Sequence, residues 1–259
     1  MGDTAPIRRP DGSSLHVREL GRGGRRLALV HGWMTSGGVF DELARALDLD
    51  AWTLVIPDLV GAGGSSRPAS GYTLARYAAD VGAVLDARGG ERPALLGHSM
   101  GGAIAALVAA ERGPRLAGLA LVNPVPLGGL ALPAEARALF ATAAGDAQKL
   151  GTILDLATRA LPGAARERLV ALALDVSEAC LVESLDAWSR GGSTAPFAAI
   201  DAPTLVVATD DPFLPPDLLA REVTARIAGA TQVHLPGAGH YPQVEIPAAL
   251  ARALADFLG

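Results

Sequence analysis

The chain predicts an α/β fold: a mostly parallel sheet covered by helices on both faces and interrupted once by an all-helical insertion. Three observations carry this. Short apolar runs alternate with stretches of helical periodicity along most of the 259 residues, and such alternation implies helices crossing between parallel strands. One junction, Leu95-Leu96-Gly97-His98-Ser99-Met100-Gly101-Gly102, turns from an apolar run into an Ala-rich helical segment through a serine flanked by small residues. Between Val122 and Ala202 the alternation stops, and only helical stretches follow one another.

Residues 15–20 and 26–30 read as the opening strands, with Gly21-Arg22-Gly23-Gly24 as a hairpin link between them. Residues 52–56 make a third strand. Thr73 then caps a helix whose apolar positions Leu74, Tyr77, Val81, Val84 and Leu85 recur at helical spacing until Gly89-Gly90 ends it. Residues 93–96 are a buried strand, and 100–112 a helix closed by Gly113-Pro114. After a strand at 116–122 come helical stretches at 133–144, 146–160, 164–174 and 177–190. Gly128-Gly129, Pro162-Gly163 and Gly191-Gly192 punctuate them, the first and last pairs as candidate hinges. Strands at 202–208 and 231–235 and a helix opened by Pro247 complete the chain. The expected division is a core formed by residues 1–123 and 197–259, with a helical cap at 124–196.

Composition narrows the function classes. The net charge is −5 and no basic stripe is present, which disfavours nucleic acid as a partner. No apolar run reaches membrane-spanning length, and the polar N-terminus, residues 1–9 with Arg8-Arg9, lacks the apolar stretch of a signal peptide, so a cytoplasmic protein is expected. Cys180 is the single cysteine, so neither an internal disulfide nor a thiolate zinc site can form. No His, Asp and Glu grouping has metal-ligand spacing, and no cofactor or metal is expected. The oligomeric state is not legible.

The chemistry gathers after the strands. Gly97, Ser99 and Gly101 spell G-x-S-x-G, a turn that holds a serine in a strained backbone region and needs small neighbours. The helix that follows aims its first N–H groups at charge developing nearby. A serine nucleophile needs a base and an acid to orient it, which follow this elbow in the order acid, then histidine. Asp210-Asp211 follow the strand at 202–208, and His240 follows the strand at 231–235 behind Gly237-Ala238-Gly239. Both are loops at strand ends, where open α/β sheets place their ligands. His31 and His98 read as packing and loop-bonding residues, His16 and His234 as strand residues, and Asp58 as structural.

On these motifs the chain resembles the α/β-hydrolase superfamily, esterase and lipase-like, from His31-Gly32-Trp33 through Asp58-Leu59-Val60-Gly61-Ala62-Gly63-Gly64-Ser65 to Gly239-His240. Relatives usually carry Arg and His where this chain has Val60 and Ala62, while the glycines and Ser65 are retained. The resemblance implies the α/β-hydrolase fold with a helical cap. It implies Ser99, Asp211 and His240 as catalytic residues, since relatives place the acid three residues past the position of Ala208 and four before a proline, here Pro215. It also implies the backbone N–H groups of Trp33 and Met100 as the oxyanion hole.

The function expected is hydrolysis of carboxylic esters of small or medium apolar substrates through an acyl-enzyme, with a small-molecule ester or related acyl compound as partner. The same triad in relatives serves C–C bond hydrolases, lactonases, thioester hydrolases, perhydrolases and acyltransferases. Epoxide hydrolases and haloalkane dehalogenases are disfavoured, because such relatives carry Asp where this chain has Ser99. A ligand receptor on the same fold is the non-enzymatic alternative. Trp33, Phe140 and Trp188 are the candidate substrate-binding side chains. The other apolar cap residues, Leu130, Leu132, Leu156 and Leu181, either line an acyl pocket or pack the cap onto the core.

Overall fold

The computed structural model describes residues 2–3 and 5–259; Met1 and Thr4, within the segment read as a polar N-terminus, lie outside the described residues. Its strands are β1 (Gly2–Asp3), β2 (Ile7–Arg8), β3 (Ser14–Leu15), β4 (Val17–Gly21), β5 (Arg25–Val30), β6 (Trp52–Pro57), β7 (Ala94–His98), β8 (Gly118–Val122), β9 (Thr204–Thr209) and β10 (Thr231–Leu235). Eight of them form one sheet in the order β1-β4-β6-β5-β7-β8-β9-β10, while β2 and β3 pair separately. From β6 to β10 every pairing is parallel; β4 runs antiparallel to β6, and β1 to β4. Strands β6, β7, β8 and β9 are buried along their whole length, and β5 from Leu27 on, as a parallel sheet covered on both faces requires.

The helices are α1 (Asp41–Ala46), α2 (Leu74–Arg88), α3 (Met100–Arg112), α4 (Ala134–Ala141), α5 (Ala147–Ala157), α6 (Gly163–Leu174), α7 (Glu178–Arg190), α8 (Pro216–Glu222), α9 (Pro242–Glu245) and α10 (Pro247–Leu258). Packing pairs α2 with α3 and α1 with α10. Local signals set their limits. Thr73 accepts a hydrogen bond from the Arg76 N–H at the start of α2, and Asp146 accepts from the Gln148 and Lys149 N–H groups at the start of α5.

The expected hairpin at the start of the sheet is corrected. β4 and β5 do not pair; β6 lies between them, bonded to both. The glycine link passes over the first residues of β6 instead of folding back on β4. A Cβ on Gly23 would stand 2.0 Å from the Ala51 carbonyl carbon, so only glycine lets the backbones approach this closely. The Arg22 N–H donates to the Leu49 carbonyl at 2.9 Å, closing the crossing. The strand expected at residues 15–20 is also split: at His16, whose N–H donates to Ser65 Oγ and whose carbonyl accepts the Asp58 N–H, both at 2.9 Å, the chain passes from pairing with β2 to pairing with β6.

Between β8 and β9 no strand occurs among the described residues, and α4 to α7 fill the interval. The expected hinges at its ends are bonded to one another: Gly192 N–H donates to the Leu127 carbonyl at 2.7 Å, and Leu130 N–H to the Ser189 carbonyl at 3.1 Å. Gly129 and Gly191 meet backbone to backbone at this crossing, both in the left-handed region. Among the described residues no helix is long and apolar enough to cross a membrane.

Candidate active site

Four strand ends converge. β5 delivers His31-Gly32-Trp33, β7 delivers Ser99, β9 delivers Asp210-Asp211, and the loop after β10 delivers His240. At the end of β7 the chain turns through Ser99 with φ 57° and ψ −122°, outside the regions that ordinary residues favour. A Cβ on Gly97 would lie 2.2 Å from the Gly101 carbonyl oxygen, and one on Gly101 2.3 Å from that of Val30. The tightness of the turn therefore dictates both glycines. Ser99 stands as the N-cap of α3, and its main chain is fixed by Ser99 N–H to the Val122 carbonyl at 3.0 Å and Val125 N–H to the Ser99 carbonyl at 3.0 Å.

The two aspartates part company. Asp211 is 2% exposed; its Oδ1 accepts from the Phe213 N–H at 2.8 Å and its Oδ2 lies 2.5 Å from His240 Nδ1. An ionised carboxylate only accepts, so this contact puts the His240 proton on Nδ1 and leaves Nε2 with a lone pair. Asp210 faces solvent, accepting from Gly237 N–H and pairing with His234 Nε2, both at 2.8 Å. Those two contacts hold its carboxyl below the usual range.

The main chain of His240 is gripped from both sides. Its carbonyl receives His98 Nε2–H at 2.7 Å and Asn123 Nδ2–H at 3.4 Å, while its N–H donates to the Ala157 carbonyl at 2.8 Å. Asn123, fully buried at φ 40°, also donates to Thr209 Oγ1, and Thr209 donates to the Gly239 carbonyl. A carbonyl accepts only, so His98 carries its proton on Nε2. His31 is the opposite tautomer: Nδ1–H donates to the Gly32 carbonyl and Nε2 accepts the Leu59 N–H, both at 2.9 Å. Asp58 gathers Gly37 N–H, Gly64 N–H and His16 Nδ1 and shapes the same loops.

Both rings are deeply buried, and desolvation lowers their pKa values, that of His98 well below the ordinary histidine value with the His240 charge adding to it. Unfolding returns each ring to its ordinary value near 6.5, so below that pH the unfolded chain takes up protons that the native one does not. Stability is therefore complete above about pH 6.5 and falls as pH drops below it, until the native rings themselves protonate. The two buried, neutral rings therefore predict a lower stability at pH 5.5 than at pH 7.5. Urea denaturation at the two pH values measures it; equal midpoints would refute the neutral, buried state.

A cavity of about 50 Å³ lies over Ser99. Of the 3 Trp, 3 Tyr and 5 Phe in the chain, Trp33, Phe140, Trp188, Phe213 and Tyr241 all line it. The Trp33 and Phe140 rings stack with centroids 5.2 Å apart; Trp188 meets Trp33, and Phe213 meets Phe140, edge to face. His240 closes one side. Among the described residues, the backbone N–H groups of Trp33 and Met100 have no acceptor within the protein. Leu130 and Leu132 line the cavity, whereas Leu156 is 54% exposed and Leu181 lies behind it, its carbonyl accepting Trp33 Nε1–H at 2.8 Å. Among the described residues no group of three His, Cys, Asp or Glu side chains is gathered as metal ligands.

Sequence reasoning missed Phe213, Tyr241, Asn123 and Thr209. An Asn directly after a strand is a legible sign of a left-handed turn, but its bonds to residues 86 and more positions away leave no local trace.

Residues 27–253 match the model of the Alpha/beta hydrolase family. The chain is 29% identical over 231 residues to RutD of Klebsiella pneumoniae subsp. pneumoniae, whose name assigns it to carbamate hydrolysis, covering 84% of this chain and 85% of that protein. It is 38% identical over 120 residues to the dihydrolipoyllysine-residue acetyltransferase component of the acetoin cleaving system of Cupriavidus necator, of whose length it spans 31%. An esterase from Exiguobacterium antarcticum has a similar fold, with a TM-score of 0.90 at 22% identity over 100% of this chain and 99% of that one. With the family model matched over most of its length, the chain belongs to the alpha/beta hydrolase family.

Proposed function

We propose that the protein is a serine hydrolase of uncharged carboxylic esters with compact or aryl groups, working through an acyl-enzyme. The observation that carries this reading is the meeting of Ser99 and His240 in one aromatic-walled cavity, with His240 oriented by buried Asp211. His240 Nε2 takes the Ser99 proton as Oγ attacks the substrate carbonyl. The unspent N–H groups of Trp33 and Met100 receive the oxyanion, typically about 2.7–4 kcal/mol for each donor. His240 returns the proton to the leaving alcohol, and a water activated by the same ring releases the acid.

The cavity wall supports the substrate class. Apart from His240 and Tyr241, no lining side chain is ionisable, so a substrate carboxylate would be desolvated without a cation beside it. The Trp188 Nε1–H is buried without a partner among the described residues, a donor open to a substrate oxygen. Phe140→Ala is expected to shift preference towards longer acyl chains, each methylene admitted being worth about 1–3 kcal/mol. Relative kcat/KM across p-nitrophenyl acetate, butyrate, hexanoate and octanoate measures the shift; an unchanged ranking would move the acyl group elsewhere.

The function itself is tested by a panel of aryl esters, lactones, thioesters and carbamates with stoichiometric labelling by a fluorophosphonate. Ester turnover with one label per chain supports the reading. Carbamate turnover in preference to esters would favour the kind of reaction RutD is named for. Ligand binding without labelling would support a receptor.

A further inference from the structure

The helical segment over the site reaches into its machinery at one point. The connection between α5 and α6 lies against the loop that carries His240, and α5 ends at Ala157, whose carbonyl accepts the His240 N–H at 2.8 Å. Beside this bond stands Glu245, the last residue of α9. Its Oε2 accepts Arg159 N–H at 2.7 Å and Ala160 N–H at 2.9 Å from the cap side. The same carboxylate accepts Gly239 N–H at 3.0 Å and Tyr241 N–H at 3.1 Å, the residues on either side of His240. Arg159 Nε adds a bond to the Asp210 carbonyl at 3.2 Å. A Cβ on Gly239 would lie 2.3 Å from the Ala157 carbonyl oxygen, so the two backbones are in direct contact.

We propose that Glu245 is a positioning residue that ties the α5–α6 loop to the His240 loop, so that the base takes its working place only when this part of the cap is seated. The proposal rests on the reading of His240 as the general base. An ionised carboxylate makes strong bonds to N–H groups, and four on one carboxylate draw two otherwise separate loops together. The carbonyl of His240 is held by His98 and Asn123, but the flanking amides look to Glu245. Losing that anchor loosens the imidazole, and an error of about 1 Å in such a group costs on the order of 10²-fold in rate. The aromatic walls that Phe140 on α4 and Trp188 on α7 supply are untouched, so the loss falls mainly on kcat.

Glu245→Gln in the full chain supplies the test, because it replaces one acceptor oxygen by an NH₂ group facing N–H donors. The expected result is a fall in kcat of about 10²-fold with KM within about threefold. The fall should be larger for an ethyl ester than for a p-nitrophenyl ester, since the alkoxide needs a proton from His240 and the nitrophenolate does not. Amide exchange should speed up together at residues 159–160 and 239–241, and Glu245→Asp, which keeps the charge, should recover part of the rate. Gly239→Ala, which pushes the cap loop away with Glu245 intact, should give the same signature and serves if the Gln variant does not fold. A kcat within twofold of wild type, equal losses for both esters, or faster exchange in one loop alone would overturn the proposal. An active Ser99→Ala would instead overturn the site reading; a dead Ser99→Ala beside an intact Glu245→Gln would sink the tie alone.

Discussion

Replacing Ser99 by alanine is expected to lower kcat for ester hydrolysis by about 10⁶-fold, the loss typical when the nucleophile of a serine triad is removed. The fold should survive. Alanine is smaller than serine, the Oγ of Ser99 makes no hydrogen bond among the described residues, and the main-chain bonds to Val122 and from Val125 do not involve it. The left-handed turn stays as strained as before, since both residues carry a Cβ. Steady-state rates on p-nitrophenyl butyrate, with far-UV circular dichroism of the same sample, make the measurement. More than about a hundredth of wild-type activity in a folded variant would remove Ser99 from its role.

Asp211→Asn is expected to cost about 10⁴ in kcat, as loss of the triad acid does elsewhere. The amide can present NH₂ to His240 Nδ1, which drives the ring proton to Nε2 and leaves no lone pair for Ser99. Asp210→Asn should cost less than about tenfold, because its partners His234 and Gly237 lie on the solvent side. Parallel assays of the two variants decide the matter. The reverse ranking would transfer the acid to Asp210 and contradict the 2.5 Å contact between Asp211 and His240.

Much of the fold was legible because its signals are local. Thr73, Gly113-Pro114 and Pro247 mark helix limits through short-range hydrogen bonding and backbone restriction, and the helices stand where those residues put them. The glycines of residues 21–24 misled because a turn and a crossing require the same permissive backbone; the partner that decides between them, Ala51, is remote in sequence. At the site, Ser99 was marked by the glycines its turn demands. The choice between adjacent Asp210 and Asp211 came from the spacing seen in relatives, since both types satisfy the same chemistry. Glu245 left no mark, because its ligands are main-chain amides from residues 159, 160, 239 and 241, and amides carry no side-chain signature.

The joined ends of the helical insertion bear on how such a protein can change its diet. Leu127 and Gly192, and Leu130 and Ser189, are hydrogen-bonded pairs, so everything between them leaves and re-enters the sheet through a single doorway. A segment of different length or sequence can be spliced in there without altering the span that the rest of the chain must bridge. The doorway makes the insertion an exchangeable cassette with one standard fitting. A transplanted cassette must also supply a short turn with two free amides for Glu245 and a carbonyl for His240, beside a carbonyl for Trp33 Nε1–H. Chimeras that keep residues 157–160 should retain turnover while their acyl preference follows the donor.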